Sequence, residues 1–151
     1  MTGYAFEDFK TGQSFTTEGM TLTEAMIIDF AFRYDPQPFH LDTQAASRSP
    51  YGGLIASGFQ TLAVTFRLFR DTGVITGTSH GEASADEVRW LRPVRPGDTL
   101  SVTVTVAGLL PSRKSDRGIV RLAYATINQH GEVVMSVTIN HLIARRLPPE
   151  A

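Results

Sequence analysis

The distribution of apolar and polar residues changes period about half way along the chain. In the first half, apolar residues recur at helical spacing, which predicts a helix from Ala25 to Arg33. Thr21 and Glu24 have the spacing of a capping box at the start of that helix. Asp42 is predicted to cap a short second helix, and a longer helix is expected from about Ser57 to Asp71.

The long helix has an apolar stripe that is rich in aromatic residues. Five residues at helical spacing form it: Phe59, Leu62, Ala63, Phe66 and Phe69. Such a stripe is more typical of core packing than of cofactor binding, so we expect it to face the core.

The second half of the chain alternates apolar and polar residues, as half-buried strands do. The expected strands are Ser14–Met20, Glu82–Leu91, Leu100–Val106, Ile119–Ile127 and Val133–His141. The order of a strand, then helices, then antiparallel strands is typical of an α+β protein. Only the Ser57–Asp71 helix is apolar enough to cover such a sheet, which predicts a curved antiparallel sheet wrapped around one central helix, the hot-dog fold.

Composition narrows the possible functions. The 151 residues are expected to form a single domain, 1–151, and a net charge of −1 gives no reason to expect binding to nucleic acid or an anionic membrane. The absence of cysteine excludes disulfides, zinc–thiolate sites and thiol nucleophiles. No apolar run reaches the roughly eighteen residues of a membrane span, and the N-terminus lacks the pattern of a secretory signal. The sequence therefore predicts a cytoplasmic protein.

The segment between the first and second predicted helices contains the strongest candidate for chemistry. Asp35 and His40 are five positions apart, and Pro36 and Pro38 lie between them. Because proline fixes φ, the segment is expected to be a stiff, irregular link that holds a carboxylate and an imidazole at a constant separation. A turn in which Asp35 caps backbone donors and His40 is half-buried explains the same residues, and both interpretations stay open.

Gly58 lies at the predicted start of the long helix. Free backbone N–H groups and the helix dipole favour negative charge there, so Gly58 is a candidate donor to an oxyanion. A glycine kept only for packing is the alternative. Gly53 and Gly58 have the spacing of a phosphate-binding loop, but Phe59 and Gln60 follow where lysine and serine or threonine are required. No pair of histidines has metal-ligand spacing, so we predict no metal site.

Three segments, 34–42, 51–59 and 89–98, together resemble the MaoC-like dehydratases, the family that contains the (R)-specific enoyl-CoA hydratases. The first is similar to the hydratase motif of that family, and the second to its continuation at the start of the central helix. Two residues depart from the family pattern: Gln37 stands where Asn is usual, and Ser57 where His commonly precedes the glycine.

The resemblance implies a hot-dog fold, usually as a homodimer whose two sheets join edge to edge, and reversible addition of water to a trans-2-enoyl-CoA. It implies that Asp35 and His40 are the catalytic dyad and that the Gly58 amide is the oxyanion donor. The neighbouring residues Gln37, Phe39, Ser57 and Phe59 become candidates for binding the acyl-CoA thioester. The reaction requires no cofactor.

Two other functions are compatible with the same sequence. One is a hot-dog acyl-CoA thioesterase, in which a carboxylate and a helix-terminal glycine assist hydrolysis. The other is a non-catalytic acyl-thioester binding subunit. The pairing of Asp35 with His40 on a proline-stiffened link favours the hydratase over both.

Overall fold

The structure, a computed structural model, describes residues 3–146. A short 3-10 turn at Phe6–Asp8 precedes the first strand. The helices are α1 (Glu24–Tyr34), α2 (Pro38–Leu41), α3 (Thr43–Ser47) and α4 (Gly58–Asp71). The strands are β1 (Ser14–Thr16), β2 (Met20–Thr21), β3 (Ser79–Trp90), β4 (Thr99–Pro111), β5 (Arg117–Ile127) and β6 (Val133–Ala144).

The strands form one antiparallel sheet in the order β1-β4-β5-β6-β3, and β2 pairs with the start of β4. Strands β4, β5 and β6 alternate between buried and half-buried residues, so one face of the sheet covers the core. The predicted hot-dog arrangement, α+β with a curved sheet around a long helix, is confirmed. The single strand expected at Ser14–Met20 is instead two short strands, because only Ser14–Thr16 and Met20–Thr21 pair with β4.

The buried face of α4 differs from the prediction. Of the five residues in the apolar stripe only Phe69 is fully buried, and Phe59 is 60% exposed. The face turned to the sheet instead includes Thr61, Thr65 and Leu68. Threonine is tolerated there because the Thr65 hydroxyl donates to the Thr61 carbonyl (2.7 Å) and lies 2.6 Å from the hydroxyl of Thr126 on β5. Hydrogen-bonded side chains carry little desolvation cost in a core.

Two local predictions near α1 were wrong. Helix α1 begins two residues later than the expected capping box predicts: Thr23 is the cap and accepts from the Met26 N–H at 3.2 Å, whereas Thr21 lies in β2 and forms a hydrogen bond with Thr99. The segment after Pro36 is also not irregular throughout. Pro38 starts the one-turn helix α2, because proline at the first helical position needs no N–H partner.

The expected start of α3 is confirmed, since the Asp42 side chain accepts from the backbone N–H groups of Gln44 and Ala45. None of the helices within residues 3–146 is long and apolar enough to cross a membrane.

Candidate active site

The link between α1 and α2 brings the predicted pair of residues together. Asp35 caps the end of α1 through its own N–H, which donates to the Ala31 carbonyl at 2.9 Å. His40 lies on α2, and its Nε2 atom is 3.3 Å from Oδ2 of Asp35. The stiff spacing predicted from the two prolines therefore gives a close carboxylate–imidazole pair.

A hydrogen bond on the side of the ring away from Asp35 fixes the orientation of His40. The ring is buried, and its Nδ1 atom lies 2.7 Å from the Ile55 carbonyl oxygen. A carbonyl can only accept, so Nδ1 carries the hydrogen. Nε2, the ring nitrogen that faces Asp35, is therefore the one left to exchange a proton.

The Asp35 carboxylate is held by two side-chain donors. The Gln37 amide donates to Oδ1 and the Ser57 hydroxyl donates to Oδ2, each at 2.7 Å. Partial burial by itself raises the pKa of Asp35, but the hydrogen bonds from Ser57 and Gln37 and the neighbouring His40 outweigh burial and lower the pKa below its usual value. Asp35 is therefore a carboxylate at neutral pH.

Ser57 connects this carboxylate to the start of α4. Its side chain is fully buried, and while its hydroxyl donates to Asp35 the same oxygen accepts from the Phe59 N–H at 3.2 Å. Ser57 is thus the helix cap and an anchor of Asp35 at once. Ser57 is a predicted substrate-binding residue. Its hydrogen bond to Asp35 joins residues 22 positions apart, and no local pattern in the sequence indicates it.

One backbone amide in the first turn of α4 has no hydrogen-bond acceptor among the described residues. Within residues 3–146 the Gly58 N–H has no hydrogen-bond acceptor, whereas the Gly58 carbonyl accepts from the Trp90 indole at 2.8 Å. A β-carbon at Gly58 would lie 2.5 Å from two atoms of that indole. The steric need for glycine at this position therefore comes from Trp90, a residue 32 positions away that no local sequence pattern relates to Gly58.

Asp35, His40 and Gly58 line a single cavity of about 410 Å³ that opens to the surface. Three of the predicted substrate-binding residues also line it: Gln37, Phe39 and Phe59. Ser57 lies behind Asp35 rather than in the wall. The remaining lining residues include Tyr51, Trp90 and Arg92, and all three belong to the segments on which the family resemblance rests.

A second polar group lies in the core. His141 is fully buried, and its Nε2 atom is 2.7 Å from the Tyr124 hydroxyl. Burial, reinforced by the charge of Arg70, lowers the pKa of His141 to about 4. Its Nδ1 atom has no hydrogen-bond partner among residues 3–146, and the Glu82 carboxylate is 3.5 Å away. His141 is therefore a buried residue of the core.

Within the described residues, no three His, Cys, Asp or Glu side chains lie close enough together to hold a metal ion.

Comparison with known proteins agrees with the fold and with the motif. A family model described as "MaoC like domain" matches residues 8–128. The uncharacterised protein YdeM of Bacillus subtilis is 32% identical over 139 residues, which cover 92% of this chain and 98% of YdeM. The (R)-specific enoyl-CoA hydratase of Rhodospirillum rubrum is 31% identical over 115 residues, 72% of this chain and 74% of that enzyme.

A solved structure extends the similarity to almost the whole chain. The crystal structure of a MaoC-like dehydratase from Rhodospirillum rubrum is 40% identical in sequence, with a TM-score of 0.85. The match covers 97% of this chain and 100% of that one. The family model and this structure together show that the chain belongs to the MaoC-like dehydratase family.

Proposed function

We propose that the protein catalyses the reversible hydration of a trans-2-enoyl-CoA to a 3-hydroxyacyl-CoA. One observation carries the proposal: Asp35, His40 and Gly58 border the same cavity. They bring together a carboxylate, a histidine nitrogen 3.3 Å from it, and a helix N-terminal amide that has no acceptor among residues 3–146. Hydration of an enoyl thioester needs a base for water, a proton for C2 and a donor for the enolate oxygen. We assign the first two functions to His40, with Asp35 positioning the water, and the third to the Gly58 amide.

His40 is the proposed proton carrier. In the hydration direction its Nε2 atom takes a proton from the substrate water while the water oxygen bonds to C3. The π electrons of the C2–C3 bond move toward the thioester oxygen, which becomes an enolate. The same nitrogen then returns the proton to C2 as the carbonyl re-forms. General acid–base catalysis of this kind contributes about 10²–10⁴-fold.

Asp35 is proposed to orient the water and to stabilise the imidazolium that forms on His40. The lowered pKa of Asp35 supports the assignment of proton transfer to His40, because a weakly basic carboxylate stays charged throughout the catalytic cycle. Ser57 and Gln37 restrict the carboxylate to one orientation. Positioning of this kind matters because a misplacement of about 1 Å can reduce the rate roughly a hundredfold.

The Gly58 N–H is proposed to donate to the enolate oxygen. The amide belongs to the first turn of a 14-residue helix, where the helix dipole favours negative charge. Removal of one oxyanion donor in other enzymes typically lowers the rate about 10²–10³-fold. The name of the Rhodospirillum rubrum relative, an (R)-specific enoyl-CoA hydratase, supports an (R)-3-hydroxyacyl product for this protein too.

We further propose that the protein is a cytoplasmic homodimer that joins through β3. This strand is at one edge of the sheet, and within residues 3–146 it pairs only with β6. An unpaired edge of 12 residues is normally paired or covered in native proteins. A mass near 16.5 kDa by light scattering at micromolar concentration would contradict a dimer.

Incubation with crotonyl-CoA tests the reaction. We expect the enoyl absorbance to fall while free thiol stays constant, and Asp35→Asn to abolish the change. Release of free thiol without a hydroxyacyl product would identify a thioesterase instead. Tight binding of crotonyl-CoA with neither change would identify a binding subunit, and either result would overturn the proposed reaction.

A further inference from the structure

A second cavity lies beside the catalytic one. It has a volume of about 420 Å³ and is bordered by the exposed apolar side of α4 and the first half of β3. Leu62, Ala63 and Phe66 of α4 form one wall, and residues 82–85 with Ile139 form the other. Together with Phe59, these α4 residues are the part of the predicted apolar stripe that lies on the flank of the helix; only Phe69 of that stripe is fully buried.

Phe59 is the residue that both cavities share. Its ring is 60% exposed, so the core does not hold it in place. It packs edge-on against Trp90, with 5.5 Å between ring centroids and 67° between the ring planes. Trp90 is itself fixed, because its indole N–H donates to the Gly58 carbonyl and its ring covers the position where a β-carbon would be.

The rings of Phe59 and Trp90 therefore separate the two cavities at the first turn of α4, and we call this pair the partition. On one side are Asp35, His40 and the Gly58 amide, and on the other is an apolar groove with no group from the proposed catalytic set. An acyl chain whose thioester carbonyl lies at Gly58 meets Phe59 at the next residue of the helix.

We infer that the Phe59–Trp90 pair sets the acyl-chain length of the substrate, by closing the catalytic cavity against the apolar groove along α4. The inference rests on the proposed hydration of an enoyl thioester and names its substrate class: acyl groups short enough to end before Phe59. Trp90 acts as the positioning residue, since it holds Phe59 and contacts the backbone of the oxyanion donor.

The expected size of the effect follows from burial of methylene groups. Moving one methylene from water into an apolar site is worth about fourfold in binding. A trans-2-octenoyl chain is four methylenes longer than a crotonyl chain, and within one subunit the groove between α4 and β3 is open on one side. Burial of about half of the added methylenes in the groove would increase the affinity for the longer chain by about tenfold or more.

The test compares kcat/KM for trans-2-octenoyl-CoA and crotonyl-CoA. The wild-type protein should prefer crotonyl-CoA, and Phe59→Ala should raise the octenoyl-to-crotonyl ratio tenfold or more. Leu62→Ala is the matched control: it enlarges the groove but leaves the partition in place, so the ratio should stay within about twofold of wild type. Adding Ala63→Phe to Phe59→Ala refills the groove and should remove the gain.

Trp90→Phe separates the positioning role from ring size. It keeps an aromatic ring against Phe59 but removes the hydrogen bond to the Gly58 carbonyl. We expect kcat for crotonyl-CoA to fall several-fold with little change in KM, together with a smaller rise in the octenoyl ratio than Phe59→Ala gives. An unchanged kcat and ratio would show that Trp90 has no positioning role.

A binding measurement tests the role of the Phe59–Trp90 pair independently of the proposed hydration reaction. Calorimetric titration with butyryl-CoA and octanoyl-CoA, which cannot be hydrated, should show the same tenfold gain for octanoyl-CoA in Phe59→Ala. If wild type hydrates neither enoyl ester but the binding gain appears, the proposed reaction is wrong and the partition stands. A wild-type protein without preference for the short chain, or a Phe59→Ala protein without gain in either assay, overturns the inference.

Discussion

Ser57→Ala is the substitution that tests how the candidate active site is held together. The Ser57 hydroxyl makes two hydrogen bonds, one to Oδ2 of Asp35 at 2.7 Å and one from the Phe59 N–H at 3.2 Å. Alanine removes both without adding volume to a fully buried position. The carboxylate then keeps Gln37 as a side-chain donor but loses the contact that ties it to α4.

The expected loss of stability is about 2 kcal/mol. A hydrogen bond to a charged group contributes about 1.5–3 kcal/mol, and loss of a helix cap costs about 1 kcal/mol. The two contributions are not additive, because they share one oxygen atom and the Asp35 side chain is 16% exposed and can recover some hydration. We expect kcat/KM to fall at least tenfold, since Asp35 gains freedom relative to His40.

The stability difference between wild type and Ser57→Ala should depend on pH in a defined direction. The pKa of Asp35 is lowered in the folded protein, so its contribution to stability is present above the ordinary aspartate pKa and is lost as pH falls through the folded value. Removal of the Ser57 donor raises the pKa of Asp35. The stability deficit of Ser57→Ala should therefore be full at neutral pH and shrink in acid, where both proteins hold a protonated carboxyl.

Urea denaturation at several pH values, combined with hydration kinetics, measures both effects. Thr23→Ala is the matched control, because Thr23 caps α1 through the Met26 N–H and is not among the hydrogen-bond partners of Asp35 within residues 3–146. It should cost about 1 kcal/mol of stability and leave kcat/KM unchanged. A Ser57→Ala protein that loses no more than Thr23→Ala, with wild-type kinetics, would refute the idea that Ser57 positions the carboxylate.

Two further predictions concern the start of α4 and the core. Gly58→Ala should lower stability as well as kcat/KM, the latter about 10²-fold, because its β-carbon would lie 2.5 Å from the Trp90 indole. Adding Trp90→Ala should restore stability, and denaturation midpoints of the single and double variants check this; an undiminished stability of Gly58→Ala would contradict the contact. The folded protein holds His141 neutral, with its pKa lowered from 6.5 to about 4, which corresponds to about 3 kcal/mol. Because the unfolded chain binds the extra proton first, stability should fall as pH drops from 6.5 to 4. His141→Gln should weaken that dependence, and equal slopes for both proteins would disprove its origin in His141.

The parts of the fold that were predicted correctly depend on residues close together in sequence. Alternation along β4, β5 and β6 reflects the two faces of a strand, and the cap of α3 by Asp42 involves neighbours two and three positions away. The separation of Asp35 and His40 is likewise set within one short link. Such local patterns can be recognised in the sequence without knowledge of the tertiary structure.

The features that were missed arise from contacts between distant segments. Apolar spacing on α4 indicated the wrong buried face, because the hydroxyls of Thr65 and Thr126 satisfy each other across 61 positions and make a polar pair acceptable in the core. The contact of Trp90 with Gly58 spans 32 positions, and no spacing rule relates the two. Whether Gln37, Phe39, Ser57 and Phe59 bind substrate stays a prediction.

The central claim is that Asp35 and His40 act as one unit on the same water molecule. It is tested most directly by kcat/KM for crotonyl-CoA hydration in Asp35→Asn, His40→Asn and the double variant. Asparagine suits position 40 because its side-chain amide can still donate toward the Ile55 carbonyl that now accepts from Nδ1. We predict that each single variant loses 10²-fold or more and that the double variant is scarcely worse than either. Losses that multiply in the double variant, or a single variant that keeps more than about a tenth of wild-type kcat/KM, would contradict the account.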